Sequence, residues 1–526
     1  MLSVLIWTPI IGTILLAVLP ESLKPEFFRR LTLVIVAVLL GWSILLASQF
    51  DIAQPDLQFV ENLPWIAGLG LNYKLGLDGL SLPLLVLNNL LTLIALLASD
   101  HTISRPRFYY ILILVLNASV SGAFLAQDLI LFFLFYEIEI IPLYFLVAIW
   151  GGARRGYAAT KFLIYTALSG ILILGAFLGI VWSSGAADFS YNPAATQGLA
   201  TGTQLLLLLA LLIGFGIKTP FFPFHTWLPD AHVEASTPVS VLLAGVILKL
   251  GTYGLLRFGL GLFLDAWVMI APWLAIWAVV SALYGACCAI AQTDMKKVVA
   301  YSSIAHMAFI LLGAAATTRL SILSTVAQMV SHGLISALLF LLVGIVAKKA
   351  GTRDVTVLRG LLNPERGLPL IGSMMILAAM ASSGLPGMVG FIAEFMIFRG
   401  SYPIFPIQTL LCMVGTGLTA VYFLLMINRT FFGRLTEEFA KMPRVSWSER
   451  IPSMILLGLT IILGLQPTWL VQWSETVSGR LLIPSASVAL VGNAGAIAPV
   501  DAVELHTAPL LDKTEMDHTG ELDASF

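Results

Sequence analysis

Six ionisable side chains stand inside runs that are otherwise apolar: Glu137, Lys218, Lys249, His306, His332 and Glu394. A charge at the centre of a bilayer costs at least about 2.5–3.5 kcal/mol on insertion scales, so such residues are rare without a role. A Glu and a Lys in a low dielectric hold each other charged. Protonating the Glu, or opening the pair, leaves a desolvated Lys that releases its proton more readily. A chain of Glu, Lys and His can thus pass protons by electrostatic handoff. Each residue also has a plainer reading. A single Glu–Lys pair can be a static interhelical clamp, and a lone buried His can be a hydrogen-bonded core residue. Six such groups on six helices weaken that reading. Glu139, two residues from Glu137, falls on another face of a regular helix, and its role stays open.

The elements that must position these groups follow from composition. The chain has 526 residues, 59% hydrophobic and 11% charged, with a mean hydropathy of +0.95. That is too little charge to cover a soluble surface, so the bilayer is the main solvent. A net charge of −1 leaves no basic face for phosphates and excludes a nucleic-acid partner. Three cysteines, two of them adjacent (Cys287 and Cys288) and one distant (Cys412), form no C-x-x-C pair. Iron–sulfur, zinc and disulfide roles are therefore not expected. The first residues turn apolar at once without a basic stretch, which reads as a retained helix and not a cleaved signal.

Apolar runs of helix length fall at 2–19, 31–48, 80–99, 108–126, 129–149, 160–182, 204–224, 238–259, 266–290, 298–316, 322–347, 370–398, 406–428 and 451–472. The reading is an all-α polytopic membrane protein of about fourteen transmembrane helices. The apolar stretch 481–498 is short and carries Gly and Pro, and from Asp501 an acidic polar tail follows. Lys218 and Lys249 are read as the basic residues inside helices. Most of the 28 Lys and Arg fall in loops after odd-numbered spans, above all in the loop with Lys348, Lys349, Arg353, Arg359 and Arg366. By the positive-inside rule that loop lies inside and both termini lie on the outer side.

Two details favour water near the ionisable groups. Ser302 and His306 are four residues apart, as are Gln328, His332 and Ser336, so each set lines one helix face. Two spans also look broken. Lys218-Thr219-Pro220 is followed by Pro223, and Gly384-Leu385-Pro386-Gly387 precedes Glu394. Proline frees helix carbonyls, which a membrane tolerates only inside protein or beside water. The breaks lie five spans apart and point to inverted five-helix repeats, spans 4–8 and 9–13. The implied divisions are 1–107, 108–259, 260–428 and 429–526. Phosphate-loop, dinucleotide and zinc-protease motifs are all missing from the sequence, so no nucleotide or redox centre is expected in this chain. His225, Asp230, His232 and Glu234 have metal-ligand chemistry, but at a helix–loop junction they read better as loop formers or a proton mouth.

Residues 218–232 (KTPFFPFHTWLPDAH), 248–254 (LKLGTYG), 294–307 (DMKKVVAYSSIAHM), 331–333 (SHG) and 390–395 (GFIAEF) resemble the antiporter-like subunits of complex I and the related Mrp cation/proton antiporters. The likeness spans most of residues 108–428. It implies fourteen helices, two inverted five-helix repeats and broken seventh and twelfth helices. It also implies that Glu137 and Lys218 form a switching pair. Lys249, His306 and His332 would form a central hydrophilic axis, with Glu394 as its terminal group. A Glu at 394, together with no lateral amphipathic helix after the last span, is similar to the M/D type. The chain is similar in flavour to cyanobacterial and chloroplast NAD(P)H dehydrogenase-like complexes of thylakoids, which reduce plastoquinone. The resemblance implies no cofactor in this chain, with iron–sulfur clusters and quinone in partner subunits. Partners would be other membrane-arm subunits, including further antiporter-like ones, and the lipid bilayer. The alternatives are an Mrp-like sodium or potassium/proton antiporter, a haem protein using His306 and His332 as axial ligands, and a structural scaffold.

Overall fold

The computed structural model describes residues 1–20, 22–100 and 102–482. Met1–Ile483 packs as one compact unit. The acidic tail and nearly all of the apolar stretch 481–498 lie outside the described residues. Helices α1 (Ser3–Val18), α2 (Pro25–Gln49), α3 (Ser81–Leu97) and α4 (Pro106–Leu125) come first, α2 and α4 each opening on a proline whose missing N–H costs nothing there. Between α2 and α3 stands an antiparallel hairpin, β1 (Gln58–Ile66) and β2 (Leu71–Leu77), with Asn62 opposite Lys74. The hairpin is a small addition to a mostly helical chain. Its β-branched and aromatic residues were hidden in what read as a long loop.

Asp128 starts the next span by accepting the Ile130 and Leu131 amides at 3.0 Å. That span is two helices, α5 (Leu129–Ile138) and α6 (Ile140–Trp150), parted at Glu139. Pro142 has no N–H for the Ile138 carbonyl, so the ladder fails there. After α7 (Arg155–Ser184), α8 (Thr201–Lys218) stops at Lys218, short of the expected 224. The chain turns and resumes as α9 (Trp227–Glu234). α10 (Thr237–Leu260) is wound as π-helix over Leu243–Ile247 and Leu255–Leu260, on either side of Lys249. Then follow α11 (Leu264–Ile290), α12 (Met295–Ala316) and α13 (Arg319–Ala350). The second expected break separates α14 (Pro369–Ser382) from α15 (Val389–Ser401), with Gly384 at φ 72° and Gly387 at φ 90° between them. The last long helices are α16 (Pro406–Phe431) and α17 (Trp447–Leu465).

Among the described residues, eleven spans are long and apolar enough to cross a membrane, counting α5 and α6 together. α1, α3 and α14 are shorter apolar helices. Every expected span coincides with helix, but length alone supports crossing for eleven. Lipid tails are as apolar as leucine, so what separates core from periphery is close packing. α10, α12 and α13 are almost wholly enclosed, whereas α2 and α17 turn most of their surface outward. Small residues make the enclosure possible. A Cβ on Gly333 of α13 would sit 2.9 Å from the Gly245 carbonyl of α10, and one on Gly285 of α11 would sit 2.8 Å from the Ala305 amide of α12.

The loops sort onto two faces. The Met1 ammonium bonds Glu61 of the hairpin, and Thr476 and Arg480 reach the carbonyls of Ile52 and Pro55. Met1, the hairpin and residues 474–480 therefore share one face. The opposite face is the basic one: the Gly152 amide and Arg353 bond the carbonyls of Glu234 and Val233, and Lys349 bonds that of Arg444.

Candidate functional site

Lys218 ends α8 because Pro220 cannot continue it, and the freed carbonyls find partners inside the protein. Trp227 Nε1 donates to the Ile217 carbonyl at 2.9 Å, and the Phe221 amide to that of Gly216 at 3.0 Å. The Lys218 ammonium, 0% exposed, is thereby fixed beside the α5–α6 break. There it forms an ion pair with Glu139, whose side chain is also 0% exposed. It lies 4.9 Å from the centroid of the Tyr136 ring, whose hydroxyl bonds Ser169 at 2.9 Å.

The expected partner of Lys218 was Glu137, but the direct ion pair in the structure is to Glu139. Glu137 is half-buried, within electrostatic reach of Lys218, but its Oε1 has no hydrogen-bond partner. Its carboxylate lies instead against Gly170 of α7. The face argument that set Glu139 aside assumed an unbroken helix, and the break at Glu139 removes that assumption. Pro142 was the available signal.

Lys249 sits where α10 leaves its first π-helical segment. Its ammonium donates to the Ala244 carbonyl at 2.6 Å and meets His332 Nδ1 at 2.8 Å. The Gly245–Gly333 contact brings those two helices close enough for that bond. Gly251 does the same on the other side, since a Cβ there would stand 3.0 Å from the Phe215 carbonyl of α8. Among the described residues no carboxylate contacts Lys249, whose ammonium is held by a carbonyl dipole and an imidazole.

From His332 the file continues to His306, ring centroid to centroid 6.1 Å. His306 Nδ1 faces Glu394 Oε1 at 3.0 Å, and Nε2 faces Ser382 Oγ at 3.1 Å. Glu394 lies in the second turn of α15 and accepts from Thr416 at 3.1 Å. A small polar cavity of about 10 Å³ lies among these groups, lined by Ser302, His306, Gln328, Ser331, His332, Ser336, Ser382 and Glu394. The two expected polar faces thus meet across one space. Gln328 Oε1, Ser331 Oγ and His332 Nε2 are buried without protein partners, as atoms that bond water are.

Of the six predicted residues, four form one connected set, Lys249, His332, His306 and Glu394. Lys218 stands in a second cluster with Glu139, and Glu137 beside it. Sequence reasoning passed over three more buried charges. Arg257, inside α10, bonds Asp78 at 2.5 Å at the start of α3, and Lys296 opens α12 under the basic face. Three of the four loop residues have local partners: Asp230 pairs with Lys161 at 2.8 Å, Glu234 accepts the Arg154 amide at 2.8 Å, and His225 stacks on Phe222, whereas His232 lies in α9 with neither ring nitrogen bonded. Among the described residues, no group of His, Cys, Asp or Glu is placed to hold a metal.

Residues 126–419 match the family model described as NADH:quinone oxidoreductase/Mrp antiporter, TM. The chain belongs to that family. It is 40% identical over 486 residues to the NAD(P)H-quinone oxidoreductase chain 4 3 of Trichormus variabilis, covering 89% of this chain and 88% of that one. A chain 4 2 of Thermosynechococcus vestitus is 41% identical over 478 residues, covering 89% of each. A chain of respiratory complex I from Thermus thermophilus superposes with a TM-score of 0.82 at 25% identity, over 92% of this chain and 99% of that one. A chain of the Mrp complex from Dietzia sp. has the same fold, with a TM-score of 0.82 at 21% identity over 93% and 98%. Family membership and the apolar spans make this an integral membrane protein.

Proposed function

We propose that this chain is a proton-translocating membrane-arm subunit of a NAD(P)H- or ferredoxin-dependent quinone oxidoreductase complex. The observation that carries the reading is the buried file Lys249–His332–His306–Glu394, opening on a polar cavity and flanked by the Glu139–Lys218 pair. Charges this deep are costly to hold and are kept where ions move. The relatives' names support the quinone reaction, their cyanobacterial origin supports plastoquinone and a thylakoid location, and Glu394 supports the M/D type. The chain's own part is non-redox: it carries no redox cofactor, and the iron–sulfur clusters and quinone belong to partner subunits. The basic face lies inward, which puts Met1 and the hairpin on the lumenal or periplasmic side.

In this mechanism a charge change relayed from a partner subunit opens the Glu139–Lys218 pair. Lys218 is then an uncompensated buried cation and repels a proton on Lys249. Lys249 passes that proton to His332 Nδ1. The cavity carries it to His306, and Glu394 accepts it through Nδ1.

The test is proton uptake by inside-out vesicles carrying Lys249→Met, with electron transfer recorded on the same sample. Uptake should fall at least about tenfold and coupled electron flow should slow, with the complex assembled. Wild-type uptake in the assembled variant would sink the proposal. Uptake that needs sodium and persists without electron transfer would favour the Mrp-like alternative, which the family model and the shared fold also allow.

A further inference from the structure

The file from Lys249 to Glu394 leaves two buried basic groups without a part. His232 of α9 is fully buried, and neither of its ring nitrogens has a hydrogen-bond partner. Among the described residues it is the one imidazole in that condition. Its ring stacks flat on Phe340 of α13, centroids 4.3 Å apart and planes at 8°. Phenylalanine would make that stack without leaving two nitrogens unsatisfied, so packing does not account for a histidine here.

Lys296, in the first turn of α12, is 4% exposed. Its ammonium donates to the Ala235 carbonyl at 2.7 Å and the His232 carbonyl at 3.3 Å. Among the described residues no carboxylate contacts it; Asp294, Glu234 and Arg353 are the charged groups facing it from nearby. Asp294 and Arg353 also line a polar cleft on the basic face, with Thr293, Thr352 and Asp354. The His232 ring, in turn, lies within electrostatic range of both Lys296, whose neighbours line the cleft, and Lys249.

We propose that Lys296 and His232 form a proton-input branch from this cleft to Lys249, an inference that rests on the proton-translocating role above. Each handoff moves one proton and no electrons. The Lys296 ammonium gives up a proton and becomes an amine, while the His232 imidazole becomes an imidazolium. The imidazolium then returns to neutral as the Lys249 amine becomes an ammonium. Water bridges any donor and acceptor that do not touch. Lys296 refills from the cleft.

Lys296 also holds carbonyls at the end of α9, so the test must part relay from clamp. His232→Phe keeps the stack, and Lys296→Arg keeps a cation for the carbonyls but does not deprotonate at ordinary pH. In the assembled complex, each should lower proton uptake about tenfold or more in the vesicle assay, and His232→Phe should be at least as heat-stable as wild type. Wild-type uptake in both variants, with uptake abolished in a parallel Lys249→Met sample, overturns the branch and leaves the main reading intact. Wild-type uptake in Lys249→Met as well overturns both. If Lys296→Arg fails to assemble, His232→Phe decides alone, because its ring makes no hydrogen bond that folding could lose.

Discussion

Lys218 pairs with Glu139 and not with Glu137, although both carboxylates lie within its reach. The two residues are separated by one position, yet the helix break at Glu139 gives them different partners. One is a fully buried member of an ion pair. The other rests against the glycine of a neighbouring helix with an oxygen unpartnered. Their substitutions should therefore fail in different ways.

Glu139→Gln leaves the Lys218 cation buried and unpaired, which costs about 3–5 kcal/mol. The complex should lose heat resistance as well as proton uptake. Glu137→Gln breaks no ion pair, so thermal inactivation should stay near wild type while uptake falls. Thermal inactivation midpoints measured beside vesicle uptake check both. Equal destabilisation by the two variants would contradict the different partners seen here.

Gly170 of α7 offers a test that removes no ionisable group. A Cβ at this position would meet the Glu137 carboxylate, so Gly170→Ala must displace it. Proton uptake should drop several-fold with the complex assembled. Gly175→Ala on the same helix, where a Cβ meets nothing within 4 Å, serves as the control and should pump normally.

Asp78 and Arg257 join α3 to the end of α10, with Tyr253 bonded to Arg257 at 3.2 Å. Asp78→Asn or Arg257→Met alone strands a buried charge or its partner and should destabilise by about 3–5 kcal/mol. Removing both should cost clearly less than the sum of the single losses. Strict additivity in thermal stability would show that the pair is not coupled.

Glu61 gives a pH signature away from the membrane core. Burial alone would raise its carboxyl, but hydrogen bonds from the Met1 ammonium and Ser3 outweigh that and hold it below the usual carboxylate range. The contribution to anchoring residues 1–3 is then present at pH above the ordinary carboxylate range, and is lost as pH falls through the lowered value. Hydrogen exchange at the Leu2 and Ser3 amides, which both donate to Glu61, should speed up on that acidification. Glu61→Gln should show the fast exchange already at neutral pH.

The membrane class, the helical spans and the breaks at Lys218 and Gly384 were legible in the sequence because each rests on local physics. Twenty apolar residues must find a bilayer, and a proline inside a helix must free a carbonyl wherever the chain later folds. The hairpin at 58–77 was not legible: its alternation is short and interrupted by Pro64, and its partners Met1 and Gln127 are distant in sequence. Arg257 and Lys296 were overlooked for a related reason. A single charge near the end of an apolar run looks like a loop residue until packing shows it enclosed.

By itself, the sequence determined which residue types stand at membrane depth, and so the chemistry available: carboxylates, lysines and imidazoles in an apolar setting. The i, i+4 spacing of Ser302 with His306, and of Gln328 with His332, followed from helix geometry alone. Tertiary structure decided who meets whom. Lys249 touches His332 because Gly245 and Gly333 let two helices close together, and Lys218 takes Glu139 because the fifth span breaks where it does. The reason is one of range. Burial and helicity are set by neighbours along the chain, whereas a proton partner is set by angstroms between helices far apart in sequence.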